Sequence, residues 1–146
     1  MNVIERIEHW GDAHHPRWLD LLRIVLGVVI FLKGVTFLAD TESLRRLIEQ
    51  TPVQIYTWGV VHYVAFAHLV GGILIAIGLL TRVAVGFQLP VLVGAVFLVN
   101  ITRGLSFLNS ELWISLVVLV LLLVFFVIGS GPYSLDYQMR GRRQDA

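Results

Sequence analysis

An all-α integral membrane protein, a four-transmembrane-helix bundle with short amphipathic interfacial helices, is the fold class this sequence predicts. Three observations carry it. The 146 residues are 57% hydrophobic and only 14% charged, with a mean hydropathy of +0.80, well outside the balance of a soluble domain. Four apolar runs of roughly twenty residues, at about 18–38, 56–80, 83–101 and 112–128, are each long enough to cross a hydrocarbon core about 30 Å thick at 1.5 Å per residue. The connections between them leave no room for a soluble domain, so 1–146 reads as one membrane domain.

The first seventeen residues are polar, with Glu5, Glu8, Asp12 and three histidines, and they lack the apolar region of a cleavable signal peptide. The first span is therefore expected to remain as an anchor. Within this leader, NVIERIEHW sets Val3, Ile4, Ile7 and Trp10 in an amphipathic pattern and reads as a surface helix, while His9, His14 and His15 read as solvated side chains.

The first span carries two permanent cations, Arg23 and Lys33, each about five residues inside one end and so roughly 7 to 8 Å from an interface. Long stems allow both to snorkel. Ten residues at 100° per residue return to within about 80°, so the two share one side of the helix, which suggests that both face the bundle. Asp20 is placed to pair with Arg23 along the helix, and Glu111, at the entrance of the fourth span, is the expected partner of Lys33. Gly27 and Gly34, seven residues apart on nearly one face, are expected to let a neighbouring helix approach closely.

Between the first two spans, DTESLRRLIEQTP predicts a short helix, with Thr41 or Ser43 as cap, Leu44, Leu47 and Ile48 on one face and charges on the other. The second span contains His62 near the outer surface and His68 near mid-depth. Six residues separate them, about 120° around the helix, so this helix alone does not bring them onto one metal, and no metal site is expected. Gly71, Gly72 and Gly78 follow as packing positions. The third span contributes Gln88, Pro90 and Asn100, and Pro90 predicts a kink or a freed carbonyl in the preceding turn. Lys33, His62, Asn100 and Glu111 fall at a similar outer depth, with His68 and Gln88 deeper. These six either line one polar cleft or form a hydrogen-bonded structural network. Gly129, Gly131 and Pro132 stop the fourth helix.

Orientation follows from basic residues. Arg6, Arg17, Arg82, Arg140, Arg142 and Arg143 fall on the side of both termini, against Arg45, Arg46 and Arg103 opposite, which predicts cytoplasmic termini.

RIVLGVVIFLKG in the first span, AHLVGGILIAIGLLTR across the second and the closing GSGPYSLD together resemble the DoxX family of small four-helix membrane proteins, in pattern and order from about residue 21 to 136. The resemblance implies a four-helix bundle in the bacterial inner membrane with a quinone-linked or redox-accessory role. The positions it carries over are Gly27, Gly34, His68, Gly71, Gly72, Thr81, Arg82, Gly131, Ser134 and Asp136, with Lys33 and Glu111 matching a subgroup. Arg82 and Asp136 are then expected to pair and lock the second loop against the tail.

With zero cysteines the chain has no thiol relay, no disulfide and no Cys-ligated cluster, and it has no glycine-rich nucleotide loop or nucleophile elbow. Redox work would need a bound small molecule or a partner. The leading expectation is an accessory or scaffold subunit with a soluble or membrane redox partner. A second is a quinone or similar lipophile bound in the cleft, hydrogen-bonded by His68 or His62, with Lys33 and Glu111 handling charge and Tyr63, Phe66 and Phe97 flanking the ring. A third, transport of a small solute, would need a homo-oligomer, since four spans without a clear repeat do not supply alternating access. The lipid bilayer is the one partner expected in every case, and no nucleic-acid partner is expected.

Overall fold

The structure is a computed structural model that describes residues 16–101, 104 and 106–144, with side chains described as far as residue 139. The amphipathic leader and Arg103 lie outside the described residues. The chain runs α1 (Arg17–Ala39), α2 (Thr41–Glu49), a 3₁₀ turn (Gln54–Tyr56), α3 (Thr57–Ile77), α4 (Thr81–Gly94) continuing as a π-helical turn (Ala95–Asn100), α5 (Ser110–Ile128) and α6 (Leu135–Gln144). Four of these helices are long and apolar enough to cross a membrane. In the bundle α1 packs chiefly on α3, α3 also on α4, and α4 on α5, while α1 and α5 meet only lightly.

Polar side chains are buried among the apolar core of this bundle, and large apolar side chains face outward. Arg23 and Gln88 are both 0% exposed, whereas Phe66 is 61% and Phe97 57% exposed. That arrangement is what a hydrocarbon solvent selects, because apolar side chains lose nothing by facing lipid while polar ones must find partners within the protein.

The second span ends earlier than its run of apolar residues suggests. Gly78 adopts φ +71° and caps α3, and Leu80 follows at φ +48°, so the chain reverses within 78–80 and α4 begins at Thr81 rather than near residue 83. Hydropathy could not see this, because both turn residues other than glycine are leucines. Pro90 sits inside α4, which runs unbroken through it; the Tyr63 hydroxyl donates to the Phe87 carbonyl at 2.5 Å in the preceding turn, and the helix widens to π geometry from Ala95.

α2 forms where its pattern placed it. Leu44 and Ile48 are buried against Phe37, Val60, Val61 and Val64, while Arg45 bonds Glu42 at 2.9 Å on the open face. Its cap is neither Thr41 nor Ser43 but Asp40, whose Oδ1 accepts from Ser43 N–H at 3.1 Å. Hydrogen bonding from the Ser43 side chain, and then from its backbone N–H, holds the Asp40 carboxyl below the usual carboxylate range. Because the folded group is the stronger acid, the cap contributes fully above the unfolded-state pKa and is lost as pH falls through the lower, folded one. Amide protection in 43–49 is expected to stay flat from neutral pH down to about pH 4 and then to drop. Asp40→Ala should show the reduced protection at every pH and Asp40→Asn should remove the pH dependence. Equal protection in wild type and Asp40→Ala would sink the assignment.

Candidate functional site

Two polar assemblies occupy the bundle, one near its middle and one at the end where α1 begins. The first is a row of contacts to which all four spanning helices contribute. Lys33 Nζ on α1 lies 3.4 Å from Glu111 Oε2 on α5 and 5.6 Å from the centroid of the Phe37 ring. Phe37 meets the imidazole of His68 on α3 edge-on at 5.0 Å. His68 Nδ1 lies 2.9 Å from the Val64 carbonyl, and its Nε2 lies 3.2 Å from Gln88 Nε2 on α4.

These distances fix the neutral ring's tautomer. A carbonyl only accepts, so Nδ1 carries the proton, which leaves Nε2 as the acceptor and the Gln88 amide as its donor. Gln88 Oε1 is then left buried without a hydrogen bond among the described residues. Gly71 lies beside it: a Cβ there would sit 3.7 Å from that oxygen. One buried acceptor without a donor, next to a histidine, is the feature of this row that a ligand hydroxyl or a water would answer.

Of the other expected members of the cleft, His62 lies apart and Asn100 reaches the row at the backbone of Glu111. His62 is exposed and turns back on its own helix, with Nδ1 2.7 Å from the Trp58 carbonyl and its ring 6.1 Å from the Trp58 indole. Asn100 is buried and ties α4 to α5: Nδ2 donates to Ser115 Oγ at 2.9 Å and to the Glu111 carbonyl at 3.4 Å, while its own carbonyl accepts from Asn109 Nδ2 at 3.0 Å. Phe66 and Phe97 point outward, leaving Tyr63 bonded to α4. An open groove of about 820 Å³ exists at the α2–α3 connection, lined by Glu49, Gln54, Ile55, Tyr56, Thr57, Trp58 and Gly59, away from His68. Phe37 and Ser115 were not singled out from sequence, although each stands four residues after a singled-out charge, Lys33 and Glu111, and so on the same helix face.

At the other end, Arg23 is caged. Nη1 donates to the Ile75 carbonyl at 2.9 Å, Nη2 donates to the Tyr133 carbonyl at 3.2 Å, and Nη2 lies 3.5 Å from Asp20 Oδ1. Asp20 Oδ2 accepts from the Tyr133 N–H at 3.3 Å, so the Asp20–Arg23 pair holds both the backbone N–H and the carbonyl of one residue. Gly78 leaves room for the guanidinium, since a Cβ there would strike Arg23 and sit 2.5 Å from Ser134 Cβ. The turn itself is fastened by Ser134, whose hydroxyl donates to the Gly131 carbonyl at 2.6 Å and accepts from Tyr137 N–H at 3.1 Å.

Asp136 completes the knot. Its carboxylate accepts from Leu80 N–H at 2.9 Å and Thr81 N–H at 3.2 Å, two of the donors that the start of α4 leaves without helical partners, and its own N–H donates to the Gly78 carbonyl at 3.1 Å. Arg82 Nη2 donates to the Val127 carbonyl at 3.0 Å, close to Gly129. Thr81, Arg82, Gly131, Ser134 and Asp136, distant in sequence, thus meet at one end of the bundle.

Of the packing glycines, Gly27, Gly34 and Gly72 seal the α1–α3 contact. A Cβ on Gly72 would lie 2.6 Å from Phe31 N, one on Gly27 2.7 Å from Ala76 Cα, and one on Gly34 2.9 Å from Leu69 N. Gly71 faces α4 at ordinary van der Waals distance, and Gly78 is a helix cap. Among the described residues, no group of three His, Cys, Asp or Glu side chains gathers in metal-binding geometry.

Four spanning helices with lipid-facing apolar side chains and inward polar ties define a multi-pass integral membrane protein. Comparison with protein-family models matches residues 18–101 to DoxX. The chain belongs to the DoxX family. The match takes in Arg23, Lys33, His68 and Gln88 and stops before the turn that holds Asp136. Neither a comparison with curated proteins nor one with solved structures gives a match.

Proposed function

We propose that this DoxX protein is a redox-associated accessory or scaffold subunit of the bacterial inner membrane, with both termini in the cytoplasm and no catalytic chemistry of its own. One observation carries the reading: the intramembrane charged groups are engaged with one another or with backbone. Lys33 is paired with Glu111, and Arg23 is shared among Asp20 and two carbonyls. Groups held in this way tie helices together and are poorly placed to exchange charge with a substrate. The redox association rests on the family resemblance, and with zero cysteines any electron transfer falls to a partner or a bound molecule.

The test is isolation of the tagged full chain from its native membranes in mild detergent. A soluble or membrane oxidoreductase is expected to co-purify in fixed stoichiometry, and the chain stripped of it should not turn over a soluble quinone analogue. Turnover by the isolated chain would refute the reading.

A second reading, a binding protein for a quinone or another lipophile, is favoured by one observation: Gln88 Oε1, fully buried beside His68, makes no hydrogen bond among the described residues. A ligand carrying a hydroxyl would satisfy it.

A further inference from the structure

At the end of the bundle opposite the Arg23 cage, the chain passes from α2 through the 3₁₀ turn into α3 and leaves an open groove of about 820 Å³ along that passage. We propose that this groove binds the ammonium headgroup of a zwitterionic phospholipid, with Glu49 as its counter-charge and Tyr56 and Trp58 as its aromatic walls.

Depth is the first argument. The lining runs from Glu49, the last residue of α2, to Gly59 in the first turn of α3, and the membrane span that includes α3 begins at Gln54. The groove therefore opens at the level where the protein enters the hydrocarbon, which is where headgroups lie. Tyr56 and Trp58 are both exposed there, and rings with an apolar body and a polar tip suit that boundary. Trp58, His62 and Phe66, four residues apart in turn and all exposed, form one row along α3, so the groove is continuous with the lipid-facing side of that helix.

Charge is the second. Both arginines of α2 bond Glu42, Arg45 at 2.9 Å and Arg46 at 3.4 Å. Glu49 is left with Arg45 Nε at 3.7 Å, beyond hydrogen-bond range, and its side chain stays half exposed on the groove. A weakly neutralised carboxylate beside a tryptophan and a tyrosine selects an organic ammonium, because ring faces and carboxylate attract the same cation. Trp58 is held in place, its carbonyl 2.7 Å from His62 Nδ1 and its indole 6.1 Å from the imidazole. Gln54 adds an exposed amide able to donate to a phosphate oxygen. Gly59 leaves the groove unobstructed, since a Cβ there would meet nothing within 4 Å. A headgroup with a phosphate and no ammonium would meet Glu49 as a like charge.

The experiment is native mass spectrometry of the full chain released from micelles that hold equal amounts of phosphatidylethanolamine and phosphatidylglycerol. One phosphatidylethanolamine is expected to survive collisional activation on the wild-type chain, retained about tenfold over phosphatidylglycerol. E49Q and W58A should bring the two lipids to parity. So should G59L, which fills the groove without touching its charge, while E49Q and G59L keep wild-type thermal unfolding. Equal retention of both lipids by wild type would overturn the proposal, as would a phosphatidylethanolamine preference that persists in folded E49Q. Soluble phosphorylethanolamine is expected to displace nothing, and displacement by it would make this a site for free amines and overturn the lipid assignment. A dimer that E49Q and W58A dissolve would give the groove to a second copy and overturn it as well.

Discussion

Arg23→Met is expected to destabilise the bundle by about 3 to 5 kcal/mol, among the largest effects of any single substitution in this chain. The guanidinium is 0% exposed and binds three partners on three segments: Asp20 on α1, the Ile75 carbonyl near the end of α3 and the Tyr133 carbonyl in the final turn. Its removal leaves the Asp20 carboxylate buried opposite an apolar side chain, and it is this stranded charge, more than the lost attraction, that makes the change costly. Two companions separate the causes. Arg23→Lys keeps the charge but not the planar fork that reaches two carbonyls, and should recover only part of the loss. Asp20→Asn combined with Arg23→Met removes both charges together, so its cost should fall well short of the sum of the two single changes. Denaturant unfolding in a fixed detergent reads all of these, and Arg23→Met as stable as wild type would show that the cage carries no load.

Gly72→Leu is expected to have a comparable effect by a different route. Where Gly72 crosses α1, even a Cβ would lie 2.6 Å from Phe31 N and 2.9 Å from the Gly27 carbonyl oxygen, all backbone atoms that no rotamer change can move aside. The helices must separate, which forfeits the close packing that replaces the hydrophobic effect in lipid. Gly72→Ala should already cost about 1 to 3 kcal/mol, and leucine more. The neighbouring glycine is the control, because a Cβ on Gly71 would lie 3.7 Å from Gln88 Oε1 and 3.8 Å from the Ala84 carbonyl. Gly71→Ala should therefore fold at close to wild-type stability, and Gly94→Ala, with nothing within 4 Å, should be neutral or stabilising through helix propensity. Thermal unfolding that ranks Gly71→Ala below Gly72→Ala would contradict the described crossing of α1 and α3.

The four spans, the α2 helix and the stop after α5 were legible in sequence because each rests on a local signal, a run length, a period or a glycine cluster. The meeting of Lys33 with Glu111 was legible for a different reason: two unlike charges at one depth of an apolar bundle have few other solutions. What sequence did not disclose is the work done by backbone carbonyls. Ile75 and Tyr133 accept from Arg23 through groups that every residue possesses, so no residue type announces them. Asp136 was singled out for a partner side chain, and the described contacts show it capping Leu80 and Thr81, which requires knowing that a single turn over Gly78, Leu79 and Leu80 ends α3 and starts α4. The α6 helix was missed because LDYQMRGRRQ is too polar and too short for a periodic signal, and it rests on the Ser134 and Asp136 contacts more than on its own pattern.

His62 shows why shared depth does not make a shared site. Depth follows from counting residues along a helix, whereas facing depends on the azimuth of each helix in the bundle. His62 turned to its own backbone and Asn100 to Ser115, while Phe37, apolar and unremarked, joined Lys33 to His68.

The measurement that tests the central claim most directly is mass spectrometry of lipophilic small molecules that co-purify with the wild-type chain, His68→Ala and Lys33→Met in mild detergent. If Lys33 and His68 act as structural ties of an accessory subunit, all three preparations carry the same bulk lipid. A defined lipophile, present in stoichiometric amount with wild type and lost from folded His68→Ala, would contradict that account and make His68 and Gln88 a binding site.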